Sequence, residues 1–349
     1  MKTSIYPKNH QITFMTVVKT VLKNRWTNYI LKALILIGAS WAFYRQTLGK
    51  ENVKELWSAF QLQLSEGNLF WLGLAVVLLP LTYQIEAWKW QLAISRIVQP
   101  TSIQIIKSIL AGTALAFWTP GQVGDYGGRL LFIETKKKWE VILATGVANI
   151  AQQVAIITLG GLGVVYYLFT YSDISGYALW IILSLYSGIT LLNWFIFFNV
   201  DVVKPVLKRI GLFNEKNEAA LETLNNFSKK ELWTLLLHAS FKFLIYSFQY
   251  YCFLQFFGIY GGFVQLYLLV LADFAIQLVL PIPPFLRLIL RGPVAIAIWS
   301  AFTTNEISIL AVSYGLFALN VLLPSLIGVG LMMSTNILKS FNYEENTNT

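Results

Sequence analysis

Charged side chains are scarce in this chain: Asp, Glu, Lys and Arg make up 12% of its 349 residues, against 56% hydrophobic and 15% aromatic. A soluble domain carries about 25% charged residues, so the composition excludes an ordinary water-soluble domain of this length. Cysteine is scarcer still. The single Cys252 sits in an apolar aromatic run, which excludes an internal disulfide framework and a paired-thiol zinc site and reads as a small buried residue. Histidine occurs only as His10 and His238, and no phosphate loop, HExxH or nucleophile elbow is present. Catalytic residues, metal ligands and cofactors are therefore all expected to be none, and ATP-driven pumping by this chain alone is not expected. Acid is also short relative to base, giving a formal charge of +9. The basic residues fall in short clusters between apolar runs, where anionic membrane lipid, rather than nucleic acid, is the expected partner.

What is abundant is apolar length. A bilayer core about 30 Å thick takes about 20 apolar residues per helix, and the clearest spans read Tyr29 to Tyr44, Leu69 to Ile85, Val141 to Phe169, Tyr177 to Phe198, Leu232 to Phe257, Phe263 to Leu280 and Ile307 to Met333. Two weaker segments, Thr101 to Phe117 with Lys107 inside it and the short Val294 to Ala301, read as parts of broken or re-entrant helices. The fold class expected is an all-α polytopic membrane bundle of about eight crossings plus one or two broken helices, in two degenerate related halves. Residues 1–28 form a basic arm and 29–334 a single transmembrane domain, its halves at 29–200 and 231–334. Residues 201–230 connect the halves, and 335–349 are a polar tail.

Lys2, Lys8, Lys19, Lys23 and Arg25 precede the first span with no acidic residue among them, which places the N-terminus in the cytoplasm. Lys136 to Lys138 and the connector with Lys204, Lys208, Arg209, Lys216, Lys229 and Lys230 fall on the same side, whereas the turns at 171–176 and 258–262 lack basic residues. Val53, Leu56, Trp57, Phe60 and Leu64 recur at helical spacing opposite Lys50, Glu51, Lys54 and Glu55, as in a helix lying along the interface. The segment Leu207 to Phe227 reads as a weaker cytoplasmic counterpart.

Two breaks interrupt the apolar pattern. The first runs from Trp118 through Thr119, Pro120, Gly121, Gly124 and Asp125 to Gly127, Gly128 and Arg129, where a proline and four glycines end any helix arriving from Thr101. Pro120 is expected to open a short helix capped by Thr119, with Asp125 and Arg129 on one face. The second break holds Pro281, Pro283 and Pro284, followed by Arg287 and Arg291 at four-residue spacing among leucine and isoleucine. Paired discontinuous segments are the best sequence pointer to a transport site, because freed backbone groups and polar side chains are tolerated at membrane depth only around a cavity. His238, Lys242, Asp273 and Gln277 are further polar residues inside apolar runs, and ionisable groups there are functional candidates by default. Asn149, Gln152 and Gln153 read as hydrogen-bonding residues between helices.

The order of an N-terminal span, an interfacial helix, the segment Glu86-Ala87-Trp88-Lys89-Trp90-Gln91-Leu92 and then Thr119-Pro120-Gly121 through Gly124-Asp125 to Arg129 resembles the flippase-like transmembrane region of lysylphosphatidylglycerol synthases. The likeness runs from about Asn24 to Ser334, with Pro-Gly-x-x-Gly-Asp as its most specific part. It departs from the family in the second half. Pro283-Pro284-Phe285-Leu286 and Arg291-Gly292 stand where members carry Pro-Gly-Gly-x-Gly and a glutamate. The soluble aminoacyl-transfer domain of full-length synthases is not expected in a chain that stops shortly after Glu345.

The resemblance implies a multi-pass protein of the bacterial cytoplasmic membrane, and a non-enzyme that moves a phosphate-bearing polar lipid between leaflets. The headgroup-binding residues expected are Arg129, Arg291, Arg287, Asp125, Lys242, Asp273 and His238, with structural breaks at Pro120, Gly121, Gly124, Pro283 and Pro284. Arginine forks match phosphate oxygens, and the expectation is that the two breaks meet in one cavity. The rivals are an accessory subunit that anchors a membrane protein partner and, behind it, an enzyme acting on polyprenyl phosphate or phospholipid.

Overall fold

The computed structural model describes residues 53–334 except 67, 120–121, 175, 210–212, 214–217 and 280–283. The expected basic arm, the span at 29–44 and the polar tail lie outside the described residues, as do Pro120, Gly121 and Pro283. Within them the chain is helical, without strands. In order the helices are α1 (Val53–Glu66), α2 (Leu69–Ile94), α3 (Ser102–Trp118), α4 (Val123–Leu130), α5 (Lys138–Tyr171), α6 (Gly176–Phe198) and α7 (Lys204–Arg209). They continue as α8 (Lys229–Phe256), α9 (Phe263–Val279), α10 (Pro284–Trp299), α11 (Glu306–Phe317) and α12 (Leu323–Met333).

Among the described residues, four stretches are long and apolar enough to cross a membrane: α2, α5, α6, and α11 with α12, which run continuously over Glu306–Met333. The second expected span ended at Ile85, whereas α2 continues nine residues further to Ile94 and carries Glu86 and Lys89 into the bundle. Hydropathy stops at the first charge. The helix does not, because both charges find partners inside. The connector also differs from expectation: instead of one amphipathic helix over 207–227 it forms the short α7 and a separate 3-10 segment, Glu218–Asn226.

Side-chain caps set several helix starts. Thr101 and Gln104 make a reciprocal capping box on α3, Ser228 and Glu231 make another on α8, and Asn305 accepts from the amide of Ser308 on α11. A π-turn at Ala318–Leu322 joins α11 to α12, with Pro324 just inside α12. Pro324 has no N–H to give the carbonyl of Asn320 four residues earlier. That carbonyl instead accepts from the Tyr83 hydroxyl of α2 at 3.1 Å.

The core of the described residues holds two large clusters and a small third one of Ala111, Ala114, Leu131, Val329 and Met332. One large cluster gathers Trp90, Ile94, Val147, Ala151, Leu235 and Ala239 from α2, α5 and α8, and the other gathers Tyr250, Phe253, Leu269, Trp299, Val312 and Leu316 from α8 to α11. α6 lies at the periphery, with Tyr177, Trp180, Leu185 and Leu191 exposed. Such an outward face suits lipid contact. Two helices followed by two more make up α2 to α5, and two helices followed by α10 and the continuous α11–α12 stretch make up α8 to α12, with α4 and α10 each carrying a buried arginine.

Candidate functional site

The site begins at the first break. Gln122 adopts a left-handed backbone, φ 58°, just before α4, and Thr119 stitches the turn together: its hydroxyl donates to the Leu115 carbonyl and accepts from the Gly124 amide at 2.7 Å. The expected cap is corrected: α4 starts at Val123 with Gln122 at its N-cap and no side-chain cap there, while Thr119 sits at the C-cap of α3 and reaches α4 only through the Gly124 amide. The helix then lies against α3 so closely that side chains are excluded at Gly112, Gly124 and Gly128. A Cβ at Gly112 would meet Asp125 Oδ1 at 2.5 Å and Arg129 Cγ at 2.8 Å, and one at Gly128 would strike the backbone of Ala111. Glycine at 112 therefore leaves the room that Asp125 and Arg129 occupy.

Asp125 and Arg129, one turn apart, pair at 2.8 Å through Arg129 Nε. Arg129 Nη2 donates to Glu86 Oε1 of α2 at 2.9 Å, and Nη1 is buried without a hydrogen-bond partner. Glu86 is the hub. Its Oε2 also receives Lys89 Nζ and, from α8, Lys242 Nζ, each at 2.7 Å. A carboxylate buried this fully is stable only when such partners replace water. Polar groups of α5 complete the shell: Asn149 donates to Asp125 Oδ2 at 3.3 Å, and Gln152 accepts from Lys89 at 3.3 Å while donating to the Ala239 carbonyl of α8. The Trp90 ring lies under the Arg129 guanidinium, 5.4 Å from its centroid, and is fixed by its own N–H to Thr145 Oγ1 at 2.9 Å. Counting charges, Lys89, Arg129 and Lys242 face Glu86 and Asp125, a surplus of one positive charge.

A second polar cluster lies among α8 to α11. Arg291 of α10 donates through Nε to Ser313 Oγ at 3.1 Å and sits over Phe317 at 5.9 Å, while its Nη2 is buried without a partner. Asp273, fully buried, accepts from Gln277 through Oδ2 at 3.0 Å, and its Oδ1 has no partner. The two are electrostatic neighbours but do not form a direct ion pair. Tyr250 completes this cluster, accepting from Trp299 Nε1 at 3.1 Å.

The expectation of one shared arginine cavity is thus revised: Arg129 and Arg291 sit in separate hydrogen-bonded clusters. What joins them is a polar edge of α8. Lys242, Tyr246 and Tyr250 recur at four-residue spacing, about 6 Å of rise per step. Tyr246 neighbours Arg291 and also Tyr83, which lies one turn before Glu86 on α2. Of the remaining candidates, His238 bonds only the Thr234 carbonyl of its own helix, at 2.7 Å. The Arg287 side chain lies outside the described residues. Gln153 is exposed, and Cys252 is buried and free.

Glu86 and Lys89 stand in the segment that carries the family resemblance but are not among the headgroup-binding residues expected from the sequence, although they carry most of the first cluster. The available signal was their spacing: an acid and a base three residues apart inside a run that continues apolar to Ile94. The model of the lysylphosphatidylglycerol synthase transmembrane region matches residues 29–328. No curated protein matches the chain. With the buried Glu86–Arg129–Asp125 network built on the Pro-Gly-x-x-Gly-Asp break, this match places the protein in a family of multi-pass membrane proteins with a lipid-related role: the chain belongs to the lysylphosphatidylglycerol synthase transmembrane-region family.

Proposed function

We propose that this chain is a lipid translocator, not itself an enzyme, that moves a phosphate-bearing polar lipid between the leaflets of a bacterial cytoplasmic membrane. Its N-terminus lies in the cytoplasm, and its two halves are related repeats of one helical unit. The observation that carries the reading is the Glu86 cluster: buried inside the helical bundle, three cations meet two carboxylates and one guanidinium nitrogen of Arg129 is left without a partner. An unpaired buried donor with surplus positive charge is costly to maintain in a purely structural element. A phosphate oxygen would satisfy it, and an arginine fork suits that oxygen in geometry and charge.

The Asp273–Arg291 cluster supports the same reading, since it repeats the pattern of a buried arginine over an aromatic ring, with a free nitrogen. The recurrence of α2 to α5 as α8 to α12 supports the repeat.

The test is leaflet exchange of fluorescent phospholipids in liposomes holding the purified full chain, comparing wild type with Arg129→Ala and Arg291→Ala at matched protein content. Exchange that falls with either substitution is expected. Equal exchange in all three would contradict the assignment of the two clusters, and a requirement for the connector residues alone would favour the accessory-subunit reading.

A further inference from the structure

The one buried atom of the Glu86 cluster left with no hydrogen-bond partner is a donor, Arg129 Nη1. Both oxygens of Glu86 are engaged, Oε1 by Arg129 and Oε2 by Lys89 and Lys242. Both oxygens of Asp125 are engaged as well, Oδ1 by Arg129 and Oδ2 by Asn149. Each of these carboxylate oxygens already faces a cation or an amide donor of the cluster, while Arg129 Nη1 remains free to donate. Every element packed around the cluster enters the charge balance. α2 supplies Glu86 and Lys89, α4 supplies Asp125 and Arg129, α5 supplies the neutral Asn149 and Gln152, and α8 supplies Lys242, with the neutral Tyr83 and Tyr246 beyond. The surplus is one positive charge. Arg129 is nine-tenths buried, and Lys242 is the member most open to its surroundings, with 28% of its side chain exposed.

We propose that this cluster selects lipids whose headgroup is a phosphodiester with a single negative charge and no amine, in preference to zwitterionic, aminoacylated and phosphomonoester lipids. The proposal rests on the reading of the chain as a lipid translocator and names its substrate class. A phosphodiester monoanion brings one charge and so neutralises the site, with an oxygen for Arg129 Nη1. A zwitterionic headgroup leaves the surplus in place and sets its ammonium beside three cations. An aminoacylated phosphatidylglycerol does the same with a further positive charge. A dianionic monoester overshoots and leaves a net negative charge in a low-dielectric site, where one unmatched unit charge costs several kcal/mol. Asp273 belongs to the other cluster, beside the Tyr250 hydroxyl, where the Arg291 charge opposes an ammonium.

Lys242 sets the surplus, so its removal should change the preference and not merely the rate. The experiment uses the full chain in liposomes, with fluorescent phosphatidylglycerol as tracer. Its exchange is competed by unlabelled phosphatidylglycerol, phosphatidylethanolamine, lysyl-phosphatidylglycerol or a polyprenyl phosphate at equal mole fraction. Phosphatidylglycerol is expected to compete at least about tenfold better than each of the others. In Lys242→Gln the advantage over phosphatidylethanolamine is expected to shrink by about tenfold or more, whereas Lys242→Arg keeps it.

Equal competition by all four lipids would overturn the proposal, as would lysyl-phosphatidylglycerol competing best or Lys242→Gln keeping the wild-type order. The wild-type series decides the matter even if a variant does not fold. Exchange of tracer with no headgroup preference sinks this inference and leaves the translocator standing, whereas no exchange in the wild type sinks both.

Discussion

Replacing Glu86 by Gln removes the one anion that binds three cations together. Glu86 is 4% exposed in its side chain and lies 2.7 Å from Lys89, 2.7 Å from Lys242 and 2.9 Å from Arg129. Breaking a buried pair from one side costs about 3–5 kcal/mol, because the remaining charge is stranded. Here the local surplus rises from one positive charge to two, with Lys89 fully enclosed and Lys242 able to turn outward. The expected loss for Glu86→Gln is therefore about 3–5 kcal/mol of unfolding free energy. Detergent-titrated unfolding of the purified chain, followed by helical circular dichroism, measures it. Adding Lys89→Met should return a large part of the loss, since an apolar replacement of both partners is often neutral, and the resulting double-mutant cycle isolates the coupling. Arg96→Ala is the control: its pair with Glu231 is 2.8 Å long, but the arginine side chain is 57% exposed, and such pairs contribute about 0–1 kcal/mol. A Glu86→Gln loss no larger than that of Arg96→Ala would refute the account of Glu86 as the hub.

Three further outcomes are expected. Gly112→Ala places a methyl 2.5 Å from Asp125 Oδ1; it should cost about 1–3 kcal/mol and slow lipid exchange, and wild-type behaviour in both unfolding and exchange assays would contradict the close α3–α4 contact. Trp90→Phe keeps a ring near Arg129 but loses the N–H donated to Thr145; a loss of about 1–2 kcal/mol in the same unfolding titration is expected. Tyr246→Phe removes only a hydroxyl from the polar edge between the two clusters; exchange should slow while its half-saturating lipid fraction stays the same, and an unchanged rate would remove Tyr246 from the path.

Much of the architecture could be read from residue patterns, and the limits of that reading have physical causes. Thr101, Ser228 and Asn305 announce helix starts because short polar side chains satisfy local amides. The breaks were readable because proline cannot continue a backbone ladder. Asp125 and Arg129 were placed on one face by spacing alone, and they pair there. Long-range partnership was not readable. Nothing local joins Glu86 to Lys242, 156 positions apart, or Tyr83 to the Asn320 carbonyl released by Pro324. The end of α2 was misplaced for the same reason, since a hydropathy pattern charges Glu86 and Lys89 the full cost of burial and cannot credit partners from other helices. The separation of Arg129 from Arg291 likewise depends on how α8 packs between the halves.

The most direct test of the central claim is the fate of inner-leaflet label. Liposomes with and without the wild-type chain, carrying fluorescent phosphatidylglycerol in both leaflets, are treated with a membrane-impermeant quencher. A translocator brings inner-leaflet label outward, so the protein-containing liposomes should lose nearly all fluorescence in a second, slower phase that protein-free liposomes lack. Loss confined to the outer leaflet in both preparations, with the chain shown to be folded and inserted, would contradict the account.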